Sequence, residues 1–203
     1  MRRYKLVILN LKTPISIDDV RKLNVGDTIH ITGTIVTARD EGHKRLLELH
    51  EKGEKVSIPL KGLAIYHCGP VVKKNEKWEV VAAGPTTSMR MESLEDQIIE
   101  KFGVRVIIGK GGMGKKTTEA MKKYGAVYGV FVGGAAVLAA KAIKEVKDVK
   151  WLDLGIPEAF WILEVTNFGP LIVAIDTRGN NIFENVKKMV AKRKEKLYEK
   201  LGL

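Results

Sequence analysis

The stretch from Val104 to Val132 constrains the fold most. An apolar run, Val104 to Ile108, meets a glycine loop, Gly109 to Gly114. That loop opens into a helical pattern, Thr117 to Tyr124, and a second apolar run follows, Ala126 to Val132. A strand, a tight loop, a helix and another strand in so short a space demand layered α/β packing. The alternation continues through a small-residue helix from Gly134 to Ile143, two strands, Trp161 to Val165 and Leu171 to Ile175, and a closing helix. Upstream the pattern is β-rich. Residues 5 to 25 read as a strand and a short helix, Ile17 to Leu23, and Thr28 to Thr37 alternates β-branched residues as a strand does. Arg39 to Glu51 reads as a helix whose inward face carries His43, Leu46, Leu47 and His50. Leu63 to Cys68, Val71 to Lys73 and Trp78 to Ala83 read as short strands, with Asn75 in a turn, and Leu94 to Phe102 as a helix. The loops are short and no linker stands out. The expected fold class is α/β: one domain over residues 1–203, with a β-rich, barrel-like N-terminal part followed by alternating α/β layers.

The glycine loop invites a nucleotide reading. Lys110-Gly111-Gly112-Met113-Gly114-Lys115 sits between a strand and a helix, as a phosphate cradle does, and Leu171 to Asp176 resembles a strand ending in a magnesium-binding acid. The chemistry fails at one position. A phosphate loop needs a hydroxyl directly after its lysine to hold magnesium, and residue 116 is Lys. Thr117 lies a further ~100° around the helix and cannot substitute. A more general property survives: backbone amides of a glycine loop at a helix start favour an anion, and Lys110 adds a full charge.

Two further segments carry polar chemistry. Gly84-Pro85-Thr86-Thr87-Ser88-Met89-Arg90-Met91 turns sharply and then offers three hydroxyls and a guanidinium, a set suited to a carboxylate, which the guanidinium fork meets with two parallel hydrogen bonds. Helix capping by the hydroxyls is the plainer alternative. Arg39, Asp40 and His43 open a helix, with Asp40 and His43 three residues apart, a spacing at which Asp40 could orient the imidazole and raise its proton affinity; on these residues alone a helix-start charge pattern with a partly buried structural histidine is the plainer reading. His67 and Cys68, before a second Gly-Pro turn, and Asp176 to Asn181 read as structural.

Composition excludes several classes. The single cysteine, Cys68, rules out an intrachain disulfide and a self-contained thiolate cluster. No apolar run approaches a membrane span, and the N-terminus lacks a signal-peptide cleavage pattern, so a soluble cytoplasmic protein is expected. Much of the net charge of +11, about +5, lies in the closing helix, Lys187 to Lys200. Phe183, Val186, Val190, Leu197 and Leu201 fall near helical spacing there, and only Tyr198 interleaves the basic ones, too few aromatics to stack a run of bases. A solvated amphipathic helix is expected, with no nucleic-acid or membrane partner.

Taken together, the segments resemble the beta subunit, or C-terminal domain, of class I fumarate hydratases and L-tartrate dehydratases. The matching stretches are Val25-Gly26-Asp27, Thr32-Gly33-Thr34, Thr37 to Asp40 with His43, and His67 with Gly69-Pro70. They continue through Gly84 to Met91, Gly109 to Met113, Leu154-Gly155 with Pro157-Glu158, and Asp176 with Gly179-Asn180-Asn181, in family order over nearly the whole chain. The resemblance implies a swivelling β/β/α domain. It implies an alpha partner that carries a four-iron–four-sulfur cluster on three cysteines, in a heterotetramer, with none bound by this chain and no metal ligand of its own. It implies that Arg39, Thr87, Ser88, Met89, Arg90 and Lys110 bind a dicarboxylic hydroxy acid, and that Thr86 and His43, the latter with Asp40, compete as the acid–base residue. The reaction implied first is reversible hydration of fumarate to (S)-malate. Dehydration of L-tartrate is the alternative, and a stand-alone anion or nucleotide module built on residues 109–117 is a second one.

Overall fold

The computed structural model describes residues 8–54 and 56–201; residues 5–7 of the first expected strand lie outside them. The elements run β1 (Ile8–Lys12), α1 (Ile17–Arg21), β2 (Thr28–Thr37), α2 (Asp40–Glu51), β3 (Ala64–Tyr66), β4 (Val71–Lys74), β5 (Trp78–Ala82) and α3 (Glu95–Phe102). They continue with β6 (Val106–Gly109), α4 (Lys115–Tyr124), β7 (Val127–Val130), α5 (Ala136–Ala142), β8 (Ile143–Lys150), β9 (Phe160–Ile175) and α6 (Ile182–Leu201). Strands β2, β3, β6 and β7 are parallel neighbours. Antiparallel β9 pairs with β7 and with β2, which closes a five-stranded barrel. β1 continues the β2 edge that β3 occupies, and β8 pairs with β9. The hairpin β4–β5 stands outside this sheet.

Alternation along the barrel strands divides the core in two. Ala64, Tyr66, Val106, Ile108 and Val127 join Ile29, Ile31, Val165 and Phe168 in one cluster. Ile65, Ile107 and Tyr128 face the other way, beneath Leu46 and Leu47 of α2, Ile98 and Ile99 of α3 and Met121 of α4. The second cluster fixes the three helices that follow β2, the hairpin and β6, and so fixes the loops at the carboxyl ends of the parallel strands. Each fully buried Leu, Ile or Val side chain contributes roughly 1.5–3 kcal/mol over an exposed one.

Three expectations need correction. The strands expected at Trp161 to Val165 and Leu171 to Ile175 are one strand of 16 residues, β9. It bends through Asn167, at φ 50°, and Gly169, at φ 157°, and the turn-like look of Asn-Phe-Gly-Pro comes from that bend. β8 was not expected at all. Its apolar residues Ile143, Val146 and Val149 recur every third position, whereas a flat strand needs every second. Two register irregularities, between Ile143 and Glu145 and between Val146 and Asp148, each add a residue, and all three side chains pack on the same core. On α2, His43, Leu46 and Leu47 are buried as expected, but His50 is exposed and packs edge-on against Phe102. The closing helix forms, with Val186, Met189, Val190 and Leu197 about half exposed. No described helix is long and apolar enough to cross a membrane.

Candidate functional site

The carboxyl ends of parallel strands are where open α/β sheets place ligands, because the loops there diverge and leave backbone amides and side chains exposed. β2 delivers Arg39 and Asp40, β3 delivers His67, and β6 delivers Lys110. The segment after β5 is laid between the last two. Thr86 N–H donates to the His67 carbonyl (2.7 Å), Lys110 N–H to the Thr86 carbonyl (3.3 Å), and Ser88 N–H to the Lys110 carbonyl (3.1 Å). Cys68 bridges Pro85 and Thr87 bridges Lys110, so Pro85 to Ser88 act as a short added strand before a 3₁₀ turn, Ser88–Met91.

That arrangement brings the segments that bear the expected cations side by side. Arg90 pairs with Asp40 (2.7 Å), which ties the turn to the start of α2. Arg39 stands at the N-cap of α2, and its Nε lies 3.2 Å from Glu158, whose other oxygen accepts from Glu41 N–H (3.0 Å). Gly69 has a steric reason to be glycine: a Cβ there would stand 2.8 Å from the Arg39 guanidinium and 2.8 Å from Pro157. Thr87, Met89, Arg90 and Lys110 are exposed, and Thr86 is half-buried among them. One Nη of Arg90 serves Asp40, and the fork leaves further N–H groups for an incoming carboxylate.

Two expected site residues face inward instead. His43 is sealed from solvent and makes no direct contact with Asp40, whose charge still adds to those that raise the His43 pKa, as expected. Its Nδ1 lies 2.7 Å from the Arg39 carbonyl and its Nε2 3.4 Å from Glu95. A carbonyl oxygen only accepts, so Nδ1 carries a proton, and Nε2 facing a carboxylate carries one too. Burial opposes that charge, but the Glu95 carboxylate and the Arg39 carbonyl outweigh it and raise the pKa. Ser88, expected to touch substrate, is also sealed. Its Oγ lies 2.9 Å from His67 Nδ1 and accepts from the Tyr128 hydroxyl (2.9 Å). His67 Nε2 lies 2.9 Å from the same Glu95 oxygen. Burial lowers the pKa of His67, Glu95 opposes without prevailing, and the His43 cation lowers it further. Neutral His67 therefore carries its proton on Nε2, toward the carboxylate, and its Nδ1 accepts from the Ser88 hydroxyl. Burial works to raise the Glu95 pKa, but the two imidazoles together bring it down to about 2. Neither imidazole meets the carboxylate at hydrogen-bond angles, so the attraction between the Glu95 carboxylate and the charged His43 is chiefly coulombic.

Glu95, His67 and Tyr128 were not foreseen as members of the site. His67 had been read as structural, and Glu95 carries no sequence signal beyond an acid in the first turn of a helix. His43, His67 and Glu95 also form a group whose donor atoms lie within 4.8 Å of one another. A carboxylate between an imidazolium and an imidazole is already charge-balanced.

The glycine loop proves to be filled from within. Glu92 accepts from Gly114 N–H (2.6 Å), Thr117 N–H (3.3 Å) and Thr117 Oγ1 (2.7 Å). Two of the amides that a phosphate could take at the start of α4 are held by this carboxylate, which weakens the reading of the loop as an anion or nucleotide module. Asp176 is likewise internal, accepting from Arg178 N–H (2.9 Å), Asn180 N–H (3.1 Å) and Asn180 Nδ2 (2.8 Å), as a turn organiser does. Cys68 is fully buried, and burial pushes its thiol up to about 12. A lone protonated thiol does not fit an iron–sulfur cluster, which needs several thiolates.

The family described as Fumarase C-terminus matches residues 2–186. The L(+)-tartrate dehydratase subunit beta of Escherichia coli (strain K12) is 48% identical over 192 residues, covering 94% of both chains. A putative L(+)-tartrate dehydratase subunit beta of Methanocaldococcus jannaschii is 48% identical over 187 residues, 91% of this chain and 94% of the relative. A putative fumarate hydratase class I of Geobacillus stearothermophilus is 45% identical over 183 residues, which are 89% of this chain and 34% of that longer protein.

Proposed function

The chain belongs to the fumarase C-terminus family, and on that premise we propose that it is the beta subunit of a hydro-lyase that removes water from L-tartrate, supplying the cationic face that grips the substrate carboxylates. The observation that carries the reading is the convergence of Arg39, Arg90 and Lys110 with Thr86 and Thr87 at the carboxyl ends of three adjacent parallel strands. Sequence reasoning put fumarate first. Relatives that align end to end with this chain carry the tartrate name, and they move tartrate ahead. Fumarate is the second reading, favoured by the relative named for it, in which the matching segment is about a third of the protein.

The chemistry follows from the groups. Arg39 and Arg90 hold carboxylates through their planar forks, and Lys110 acts as a point charge. As the proton alpha to a carboxylate leaves, negative charge spreads onto that carboxylate, and cations already in place stabilise it without reorganising. Thr86 is the proposed proton acceptor, since it is half-buried on the same face as Arg90 and Lys110, whose charges favour an ionised hydroxyl. His43, sealed behind Arg39, acts on the site only through its contacts. The iron–sulfur cluster belongs on the cysteine-bearing alpha partner, in a cytoplasmic heterotetramer. The test is anaerobic co-production with that partner and comparison of turnover on L-tartrate and (S)-malate. Higher kcat/KM for L-tartrate is expected; higher kcat/KM for (S)-malate would restore fumarate to first place, and turnover by this chain alone would contradict the subunit reading.

A further inference from the structure

The cluster beneath the substrate face joins every segment that the proposed reaction uses. Glu95, at the start of α3, meets His67 at the end of β3 and His43 on α2. His43 holds the Arg39 carbonyl, and His67 meets Ser88, which lies between Thr86 and Arg90. Tyr128, from β7, reaches both Ser88 Oγ (2.9 Å) and the carbonyl of Gly111 (3.1 Å) in the glycine loop. Glu95, His43, His67 and Ser88 are fully buried. None of them can touch a substrate on the open face.

Stability alone gives a poor account of this arrangement. Removing a carboxylate and an imidazolium from water costs several kcal/mol per ion, and well-packed apolar side chains of the same volume are often neutral or better. What such a group achieves is fixed geometry. An apolar side chain would fill the same space without selecting one position for the Arg39 carbonyl or one rotamer for Ser88. Gly109 shows how closely Ser88 is held, since a Cβ there would stand 1.9 Å from Ser88 Oγ and 3.3 Å from His67 Nδ1.

We propose that Glu95 is the central positioning residue of the site, aligning the Thr86–Arg90 segment through His67 and Ser88 and the Arg39 backbone through His43. The inference rests on the hydro-lyase reading and adds residues that never meet the substrate. It places the control of substrate geometry in a buried charge network rather than in the exposed loop.

The experiment uses the complex with the cluster-bearing partner, as wild type, Glu95→Gln and Ser88→Ala, with histidine 15N spectra of each full-length chain. Glu95→Gln keeps the shape and removes the charge, so His43 should pass from the doubly protonated to the neutral Nδ1–H form. Ser88→Ala cuts the link to the loop and should leave His43 doubly protonated. Both should lower kcat about tenfold to a hundredfold, with a smaller change in KM, because the segment is displaced by an ångström or less. Ser88→Ala serves as the folded control should Glu95→Gln fail to assemble. Unchanged kcat and KM in Ser88→Ala would overturn the proposal, as would a His43 signal that ignores Glu95→Gln. Zinc at one per chain in wild type and lost in Glu95→Gln would overturn it too, replacing a charge network with a metal site. A wild-type complex with no turnover on either hydroxy acid would refute the hydro-lyase reading instead. In that case the nitrogen spectra still decide whether Glu95 sets the state of His43.

Discussion

Replacing Gly109 by Ala should damage the protein far more than one methyl group suggests. The residue ends β6 in ordinary strand conformation, and its carbonyl accepts from Phe131 N–H (2.8 Å), so the backbone itself would tolerate alanine. The obstacle is Ser88. The new Cβ would fall 1.9 Å from its Oγ, a distance no pair of non-bonded atoms accepts, and Ser88 cannot retreat without leaving His67 Nδ1 and Tyr128. Overpacking a filled core costs about 1–3 kcal/mol. Each buried polar group left unpaired costs about 1–3 kcal/mol more. A loss of roughly 2–5 kcal/mol is therefore expected, a large share of the ~5–15 kcal/mol that holds a domain together. Urea unfolding of the purified chain measures it. Gly133→Ala is the internal control, since a Cβ there meets nothing within 4 Å, and it should change stability by less than ~1 kcal/mol. Equal unfolding midpoints for the two variants would refute the packing argument and the placement of Ser88 on which it depends.

Other outcomes are equally specific. Cys68, with its thiol pushed up to about 12 by burial, should resist thiol reagents in the native protein at pH 8 and react at once in denaturant. In an NMR titration the two buried histidines should move in opposite directions from the ordinary value of 6.5, His43 upward and His67 downward. The signs for stability follow. The His43 contribution is complete below pH 6.5 and fades as pH rises through its raised native pKa, whereas that of His67 is complete above pH 6.5 and fades as pH falls through its lowered one. Thr86→Val in the reconstituted enzyme should lower kcat by about a hundredfold or more with little change in KM, because only the hydroxyl is lost. A dead His43→Asn beside a near-normal Thr86→Val would reverse the proposed roles.

Much of the site could be read from residue types in order, because turns and cations leave local marks. Gly84-Pro85 announced the bend, and the two cations that suggested an anion-binding face, Arg90 and Lys110, are exposed. The buried network left no such mark. Glu95, His67 and Tyr128 come from α3, β3 and β7, and only the closed barrel and its helices bring them together. Local reasoning paired His43 with Asp40 because they are three residues apart, but at the first turn of α2 the two side chains leave on different sides, one to Glu95 and one to Arg90. The filling of the glycine loop was hidden for a similar reason, since Glu92, far from it in sequence, takes two of the amides at the start of α4. β8 was missed because its bulges convert a period of two into a period of three.

The central claim is that cations of this chain grip the substrate within the assembled enzyme, and Arg90→Lys tests it most directly. The substitution keeps the charge and the partnership with Asp40 but removes the planar fork that meets a carboxylate with two bonds. Steady-state kinetics of the reconstituted complex, with cluster content matched to wild type, should show KM strongly raised and kcat/KM lowered by about 2–4 kcal/mol in transition-state terms. Wild-type kcat/KM in that variant would contradict the account.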